Sequence, residues 1–271
     1  MDRNDISPPT MMQRILASDF VFDFTRAPLA MLAAAVVLFL FIIAILAPLV
    51  APTNPFDPAS LNLMNGFTPP MTPNMFTGQS FVMGTDDQGR DLLSAIIYGL
   101  RVSLFVGVMS VLLAMGIGVS LGLVAGYVGG WLDNLIMRIA DIQLTFPSIL
   151  IAMLIFGVLR GIIPPDLRDE MAIFVLIAAI GLSEWVPFAR TVRATTLVEK
   201  EKEYVQAARL IGLRRGQIMW RHILPNVIGP VLVIATITLA LAIIAEATLS
   251  FLGVGAPPTE PSLGTLIRIG Q

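Results

Sequence analysis

Glu203-Tyr204-Val205-Gln206-Ala207-Ala208-Arg209-Leu210-Ile211-Gly212, followed nine residues later by His222-Ile223-Leu224-Pro225, occupies a polar island between two long apolar runs. The island extends from Arg190 to Pro225 and holds eight of the chain's 17 Lys and Arg residues. From Leu197 to Ile211 its apolar positions recur at helical spacing, and Gly212 fits the left-handed residue that ends a helix. A second short helical stretch, Arg215–Ile223, is expected to stop at Pro225, which cannot continue a helix. The island therefore reads as a helix–turn–helix unit in which the small residues Ala207 and Ala208 leave room for another surface.

The rest of the chain explains why such an island exists. Of 271 residues, 56% are apolar and 13% charged, and the mean hydropathy is +0.82. Soluble domains carry about 25% charged residues, so the balance is that of a membrane protein. The net charge of −2 opposes nucleic-acid binding. Without Cys and with His222 as the single His, thiolate or imidazole metal sites and a Ser–His triad are excluded. Asp2, Asp5, Asp19 and Asp23, together with a long apolar run behind them, are unlike a cleavable signal.

Spanning the hydrocarbon core takes about 20 apolar residues. Five runs qualify: Leu29–Val50, Val102–Tyr127, Ile139–Leu159, Met171–Phe188 and Ile228–Phe251. The second is rich in Gly, which lets helices approach closely in lipid; the third contains Pro147, which predicts a kink. The fold class is an all-α polytopic membrane protein. Lys and Arg concentrate on the cytoplasmic side, so 1–28, 128–138 and the loop 189–227 are expected inside. The segments 51–101, 160–170 and 252–271 are expected outside, and 102–251 forms the core. Asp91–Arg101, with Leu92, Leu93, Ile96, Ile97 and Leu100 on one side, reads as an interfacial helix on the outer face.

Two patterns narrow the chemistry. No G-x-x-x-x-G-K-[ST] phosphate loop occurs, so ATP is not expected to bind this chain; in Gly84–Gly89, Asp86 and Asp87 suit helix capping instead. Ionisable residues within spans attract functional interest. Glu246 admits two readings: a place on a transport path, or a hydrogen-bonded role inside the bundle. Arg138 and Asp141 are spaced to pair on one helix face, and Glu184 lies near the inner end of the fourth run. Arg209, Arg214 and Arg215 also suit anionic lipid head groups.

The island carries a resemblance. Gln206-Ala207-Ala208, Gly212 and His222-Ile223-Leu224-Pro225 resemble the EAA loop of permease subunits of binding-protein-dependent ABC importers, with Gln206 in place of the eponymous Glu and His222 where an aliphatic residue is common. Met83–Ser94 is similar to the GTDxxGRD segment of the C-type subunit of dipeptide, oligopeptide and nickel permeases. Gly126–Asp133, Met137–Asp141, Phe146–Ser148 and Ala245–Gly253 extend the match. The resemblance implies a type I importer fold, half of a transmembrane pore in a bacterial inner membrane, with the N-terminus cytoplasmic. It implies a homologous permease subunit, two cytoplasmic ATPase subunits that bind ATP and Mg, an extracytoplasmic solute-binding protein and membrane lipid as partners. It makes the loop a coupling helix seated in a groove on an ATPase. Glu203, Tyr204, Gln206, Ala207, Ala208, Arg209, Gly212, Leu224 and Pro225 are the expected contact and coupling residues, and Glu246 and Ser250 are the candidates for the translocation path or the permease interface, with a role inside the bundle as the alternative for Glu246.

Peptides are the expected solute, with nickel or another small solute as the alternative. Family members usually have a sixth span after Pro261-Ser262-Leu263-Gly264, so the sequence is expected to be a truncated one. An ion-coupled secondary transporter would instead place its polar groups near the bilayer midplane, and a membrane scaffold would need no ATPase.

Overall fold

The computed structural model describes residues 24–57, 61–257 and 260–270. Most of the expected N-terminal cytoplasmic segment therefore lies outside the described residues. Secondary structure among them is helical apart from two isolated bridges, Pro73 with Ser80 and Thr85 with Asp91. Helix α1, Pro28–Ile45, begins on a proline whose missing N–H costs nothing at a helix start. It buries only Ala44, and the short α2, Ala47–Val50, follows.

Helix α3, Leu92–Val128, has 37 residues and is about 55 Å long at 1.5 Å per residue. That exceeds a hydrocarbon core of about 30 Å, so α3 emerges from it. This corrects the interfacial-helix expectation: Asp91–Arg101 forms the N-cap and first turns of α3. No Gly or Pro break separates Arg101 from Val102, and the small residues Ser94, Ala95, Gly99 and Ser103 carry one buried face across the junction. The N-cap is Asp91, whose carboxylate accepts the Ser94 N–H at 3.0 Å. Neither Asp86 nor Asp87 fills that place. Asp86 closes its own turn by accepting the N–H groups of Gln88 (2.9 Å) and Arg90 (2.8 Å).

The third apolar run is not one helix. Helices α4, Gly130–Leu144, and α5, Ser148–Ile162, meet at 99°. Pro147 sits at the break with an extended ψ of 132°; it has no N–H to give to α4 and it drives Phe146 out of helical conformation. The expected kink is thus a full corner. The fourth run continues well past Phe188. Helix α6, Arg168–Ser183, bends by 41° at Glu184 into α7, Trp185–Glu199. Gln143 holds that bend by donating to the carbonyls of Leu182 (3.1 Å) and Ser183 (2.9 Å) while accepting from the Trp185 indole at 2.8 Å.

Helix α8, Glu203–Leu210, and the single turn α9, Arg215–Ile218, form the island. Pro225 does not end the second stretch. A π turn over Met219–Ile223 leads directly into α10, Leu224–Phe251. A π turn widens the helix by one residue, which accommodates a proline just beyond it. Arg215–Phe251 is therefore one apolar helix of 37 residues. After it, α11, Leu263–Ile269, folds against α10 and α3. Among the described residues three helices are long and apolar enough to cross a membrane, or up to five if each bent pair counts as one span.

The core forms where α3 crosses α7. Gly118, Gly122 and Gly126 lie on one face of α3 at four-residue spacing. A Cβ at Gly122 would stand 2.6 Å from the Ala189 carbonyl oxygen, and one at Gly126 would stand 2.9 Å from that of Arg193. Backbones this close maximise dispersion contact where lipid offers no hydrophobic drive. Two ion pairs tie α4 to the same helix. Arg193 grips Asp133 with two parallel hydrogen bonds, the second at 2.7 Å. Asp141 pairs with Arg190, which corrects the expected Arg138–Asp141 pair. Across-helix geometry offers Asp141 a guanidinium on α7 in place of the one on its own face.

Candidate functional site: the α8–α9 unit and its attachment to the spans

Helix α8 is amphipathic over two turns. Val205 and Ala208 face inward and meet Ile218 and Ile223 in the main apolar core. Glu203, Gln206, Ala207 and Arg209 face outward. Of the two alanines only Ala207 is open; Ala208, 4% exposed, lets α8 lie close on this chain's own core. The helix closes with a Schellman motif. Gly212 takes φ +78°, its N–H bonds the Arg209 carbonyl at 3.0 Å, and the Leu213 N–H bonds that of Ala208 at 3.2 Å. The turn leaves Leu210 89% and Ile211 76% exposed. Two adjacent aliphatic side chains at the tip of a charged loop form an apolar contact point rimmed by polar groups.

A polar cluster attaches this unit to the long helices. Glu199, the last residue of α7, receives Lys202 Nζ at 2.6 Å on one carboxylate oxygen and the Tyr204 hydroxyl at 2.5 Å on the other. The Asn226 amide of α10 donates to the same hydroxyl at 3.1 Å and to the His222 carbonyl at 2.7 Å. One tyrosine thus joins α7, α8 and α10. Hydrogen bonds from Lys202, then Tyr204, hold the Glu199 carboxyl below the usual carboxylate range. Burial, and then the Glu199 carboxylate, push the Tyr204 phenol up to about 12. The phenol therefore stays protonated as a donor.

Two further contacts reach α3. The Arg209 guanidinium lies 5.2 Å from the centre of the Tyr127 ring, a cation–π contact. Lys200 Nζ donates to the Gly126 carbonyl at 3.1 Å, beside the end of α3. Gln206 bonds back to the Glu201 carbonyl at 2.9 Å. Leu224 is half-buried against the core, and Pro225 is exposed.

Sequence reasoning named the exposed Glu203, Tyr204, Gln206, Ala207 and Arg209 together with the buried Ala208, did not single out the exposed Leu210 and Ile211 as contacts, and missed much of the unit's attachment. Glu199 was visible in principle as an i,i+3 partner of Lys202. Asn226 and Tyr127 carry no local signal, because their partners are 22 and 82 residues away.

The opposite end of α10 holds the second predicted pair. Glu246, 0% exposed, accepts the hydroxyls of Ser103 and Ser250, each at 2.7 Å. Ser103 in turn accepts the Leu263 N–H at 3.3 Å, and Ser250 accepts the Ala256 N–H at 3.1 Å. The carboxylate is satisfied within the bundle and orients two hydroxyls that hold the chain after α10.

Comparison with known proteins agrees with this architecture. Residues 118–271 match the family described as the binding-protein-dependent transport system inner membrane component. Residues 16–70 match the N-terminal transmembrane domain of oligopeptide transport permease C. The chain is 36% identical over 263 residues to the dipeptide transport system permease protein DppC of Haemophilus influenzae, covering 96% of this chain and 84% of that one. It is 35% identical over 255 residues to the oligopeptide transport system permease protein OppC of Bacillus subtilis, covering 94% and 77%. It is 38% identical over 186 residues to the glutathione transport system permease protein GsiD of Pectobacterium atrosepticum, covering 69% and 58%. A glycine-packed helical bundle with an exposed, tethered loop helix is thus joined to two successive family matches, and the chain belongs to the inner membrane components of binding-protein-dependent transport systems.

Proposed function

We propose that this chain is one of two pore-forming subunits of an ATP-driven importer of small peptides in a bacterial inner membrane. Its N-terminus and α8–α9 unit face the cytoplasm. The observation that carries the reading is the exposed tip of α8, Leu210 and Ile211, held by the Schellman turn and tied through Tyr204 to both α7 and α10. An ATPase groove that accepts the tip gains apolar contact. The rim residues Glu203, Gln206 and Arg209 and the open face of Ala207 fix its orientation. Closure of the ATPase pair then moves α8, and the cluster at Glu199 passes that displacement to the ends of α7 and α10. This is coupling of two sites through a shared rigid element.

ATP and Mg belong to two partner ATPases, so this subunit catalyses no hydrolysis itself. A homologous subunit completes the pore, and a binding protein delivers solute to the opposite face. Peptides are the solute favoured by the relatives, whose names specify dipeptide, oligopeptide and glutathione transport. Within this reading Glu246 and Ser250 act from inside the bundle, holding the segment before α11 at the solute-entry end.

Replacing Gly212 by Val tests the coupling role. The site has open space around a Cβ, so the substitution acts through φ +78°, a conformation that costs an L-residue about 1–2 kcal/mol. In the assembled complex the expected result is intact membrane insertion with uptake uncoupled from ATP hydrolysis. Normal coupled transport would refute the role.

A further inference from the structure

At the end of the bundle opposite α8, a cavity of about 840 Å³ opens between α1, α3 and the start of α6. Its lining joins charged, aromatic and aliphatic side chains. Arg101, Tyr98 and Glu260 line it; Arg101 and Glu260 are exposed, and Tyr98 is met edge-to-face by Phe56 at 5.2 Å. Phe105 and Val108 of α3 and Phe41 of α1 also line it. Arg101 to Val108 is seven residues of helix, a depth of about 10 Å. The chain after α1 is joined to the start of α3, the Thr53 N–H bonding Ser94 Oγ at 3.1 Å, so Phe41 lies on the inward side of Ile45. Arg101 is in no ion pair among the described residues. Along α1, beside the cleft, Leu38, Phe39 and Ile42 are exposed apolar side chains, the composition of a surface suited to lipid.

We propose that this cleft is a binding site for one zwitterionic phospholipid. The phosphate sits on the Arg101 guanidinium, the head-group ammonium lies toward Glu260, and an acyl chain descends past Phe105 and Val108 against Phe41. A cation and an anion lining one cavity complement a zwitterion, whereas an anionic head group would meet Glu260 unfavourably. A peptide fits less well, because its amides would find no donor or acceptor among the apolar walls below Arg101. The site rests on the chain spanning a bilayer and is independent of the ATPase-coupling reading, so either can fail without the other.

The test uses the assembled transporter in vesicles of phosphatidylethanolamine and phosphatidylcholine doped with phosphatidylethanolamine carrying a photoreactive acyl chain. Labelled peptides are mapped. Labelling is expected to concentrate on Phe41 and Phe105–Val108, above that of the exposed Leu154 and Val233. Arg101→Gln is expected to lower it about tenfold, the factor equivalent to about 1.5 kcal/mol for one lost hydrogen bond to a charged group. Val108→Trp, which fills the cleft without touching the charges, is expected to abolish the excess. A photoreactive anionic phosphatidylglycerol probe should label the cleft several-fold less. Labelling equal to that of Leu154 and Val233, or a cleft label indifferent to both substitutions, would overturn the proposal. So would cross-linking of a cysteine placed at Val108 to the second permease subunit, which would show the cleft filled by protein.

Discussion

The Tyr204 hydroxyl donates a hydrogen bond to the Glu199 carboxylate at 2.5 Å and accepts one from Asn226 at 3.1 Å. A short exposed helix is thereby fixed to the ends of two long ones. Alongside the packing of Val205 and Ala208 in the core and the Arg209–Tyr127 contact, this joint ties the loop to the long helices. The joint is also chemically directional, because the carboxylate accepts only and the phenol must keep its proton to donate.

Tyr204→Phe removes both hydrogen bonds and leaves the Lys202–Glu199 pair in place. A hydrogen bond to a charged group contributes about 1.5–3 kcal/mol, and partial exposure of Tyr204 places the expected loss at the low end. The predicted phenotype is a complex that assembles but takes up less solute per ATP hydrolysed, read by measuring both rates in proteoliposomes. A wild-type ratio would mean that displacement passes from α8 to the spans by another route.

The same cluster sets a pH window. Glu199 is depressed below its ordinary value, so its stabilisation is present above the ordinary Glu range near pH 4.3 and is lost as pH falls through the lower folded value. Tyr204 is raised to about 12, so its contribution is complete below the ordinary tyrosine value near 10 and is lost as pH rises through about 12. The attachment of α8 should therefore persist across the neutral range and loosen at both extremes. Absorbance titration of the three tyrosines compared with Tyr204→Phe isolates its ionisation. A Tyr204 ionisation at the ordinary value would contradict a phenol raised by partial desolvation and the Glu199 hydrogen bond.

The glycine stripe makes a matched pair of predictions. Gly122→Ala places a methyl 2.6 Å from the Ala189 carbonyl oxygen, whereas Gly116→Ala meets nothing within 4 Å. The first is expected to destabilise by about 1–3 kcal/mol through overpacking. The second is expected to be neutral or slightly stabilising, since Ala is the better helix former. Thermal unfolding of the two variants in one detergent checks the difference, and equal transitions would show that the α3–α7 contact is looser than described.

The order of helices was legible in the sequence because hydropathy counts apolar length, and each of the five runs overlaps helix. Direction was not legible. Pro147 signals an interruption, but whether it produces a kink or the 99° corner depends on what α4 and α5 pack against. Pro225 shows the reverse error, since the π turn at Met219–Ile223 carries the helix past it. The amphipathic Asp91–Arg101 stretch was readable as helix, but only the buried Ser94, Ala95 and Gly99 reveal that it continues a span. In the α8–α9 unit, Gly212 and the helical period specify the turn locally. The joint at Glu199, Tyr204 and Asn226 depends on folding of the whole bundle. Asp141 chose Arg190 over Arg138 for the same reason: a local spacing rule ignores partners on other helices.

The most direct test of the central claim is a single-cysteine cross-link from the tip of α8. The chain has no natural Cys, so Leu210→Cys is a unique thiol at a fully presented position. A short bifunctional reagent applied to the assembled transporter is predicted to join it to an ATPase subunit and to block coupled uptake. A control Val233→Cys, exposed on α10, should not join the ATPase. Failure of Leu210→Cys to reach an ATPase in an active complex, or its capture by another membrane subunit instead, would contradict the assignment of α8 as the docking and coupling element.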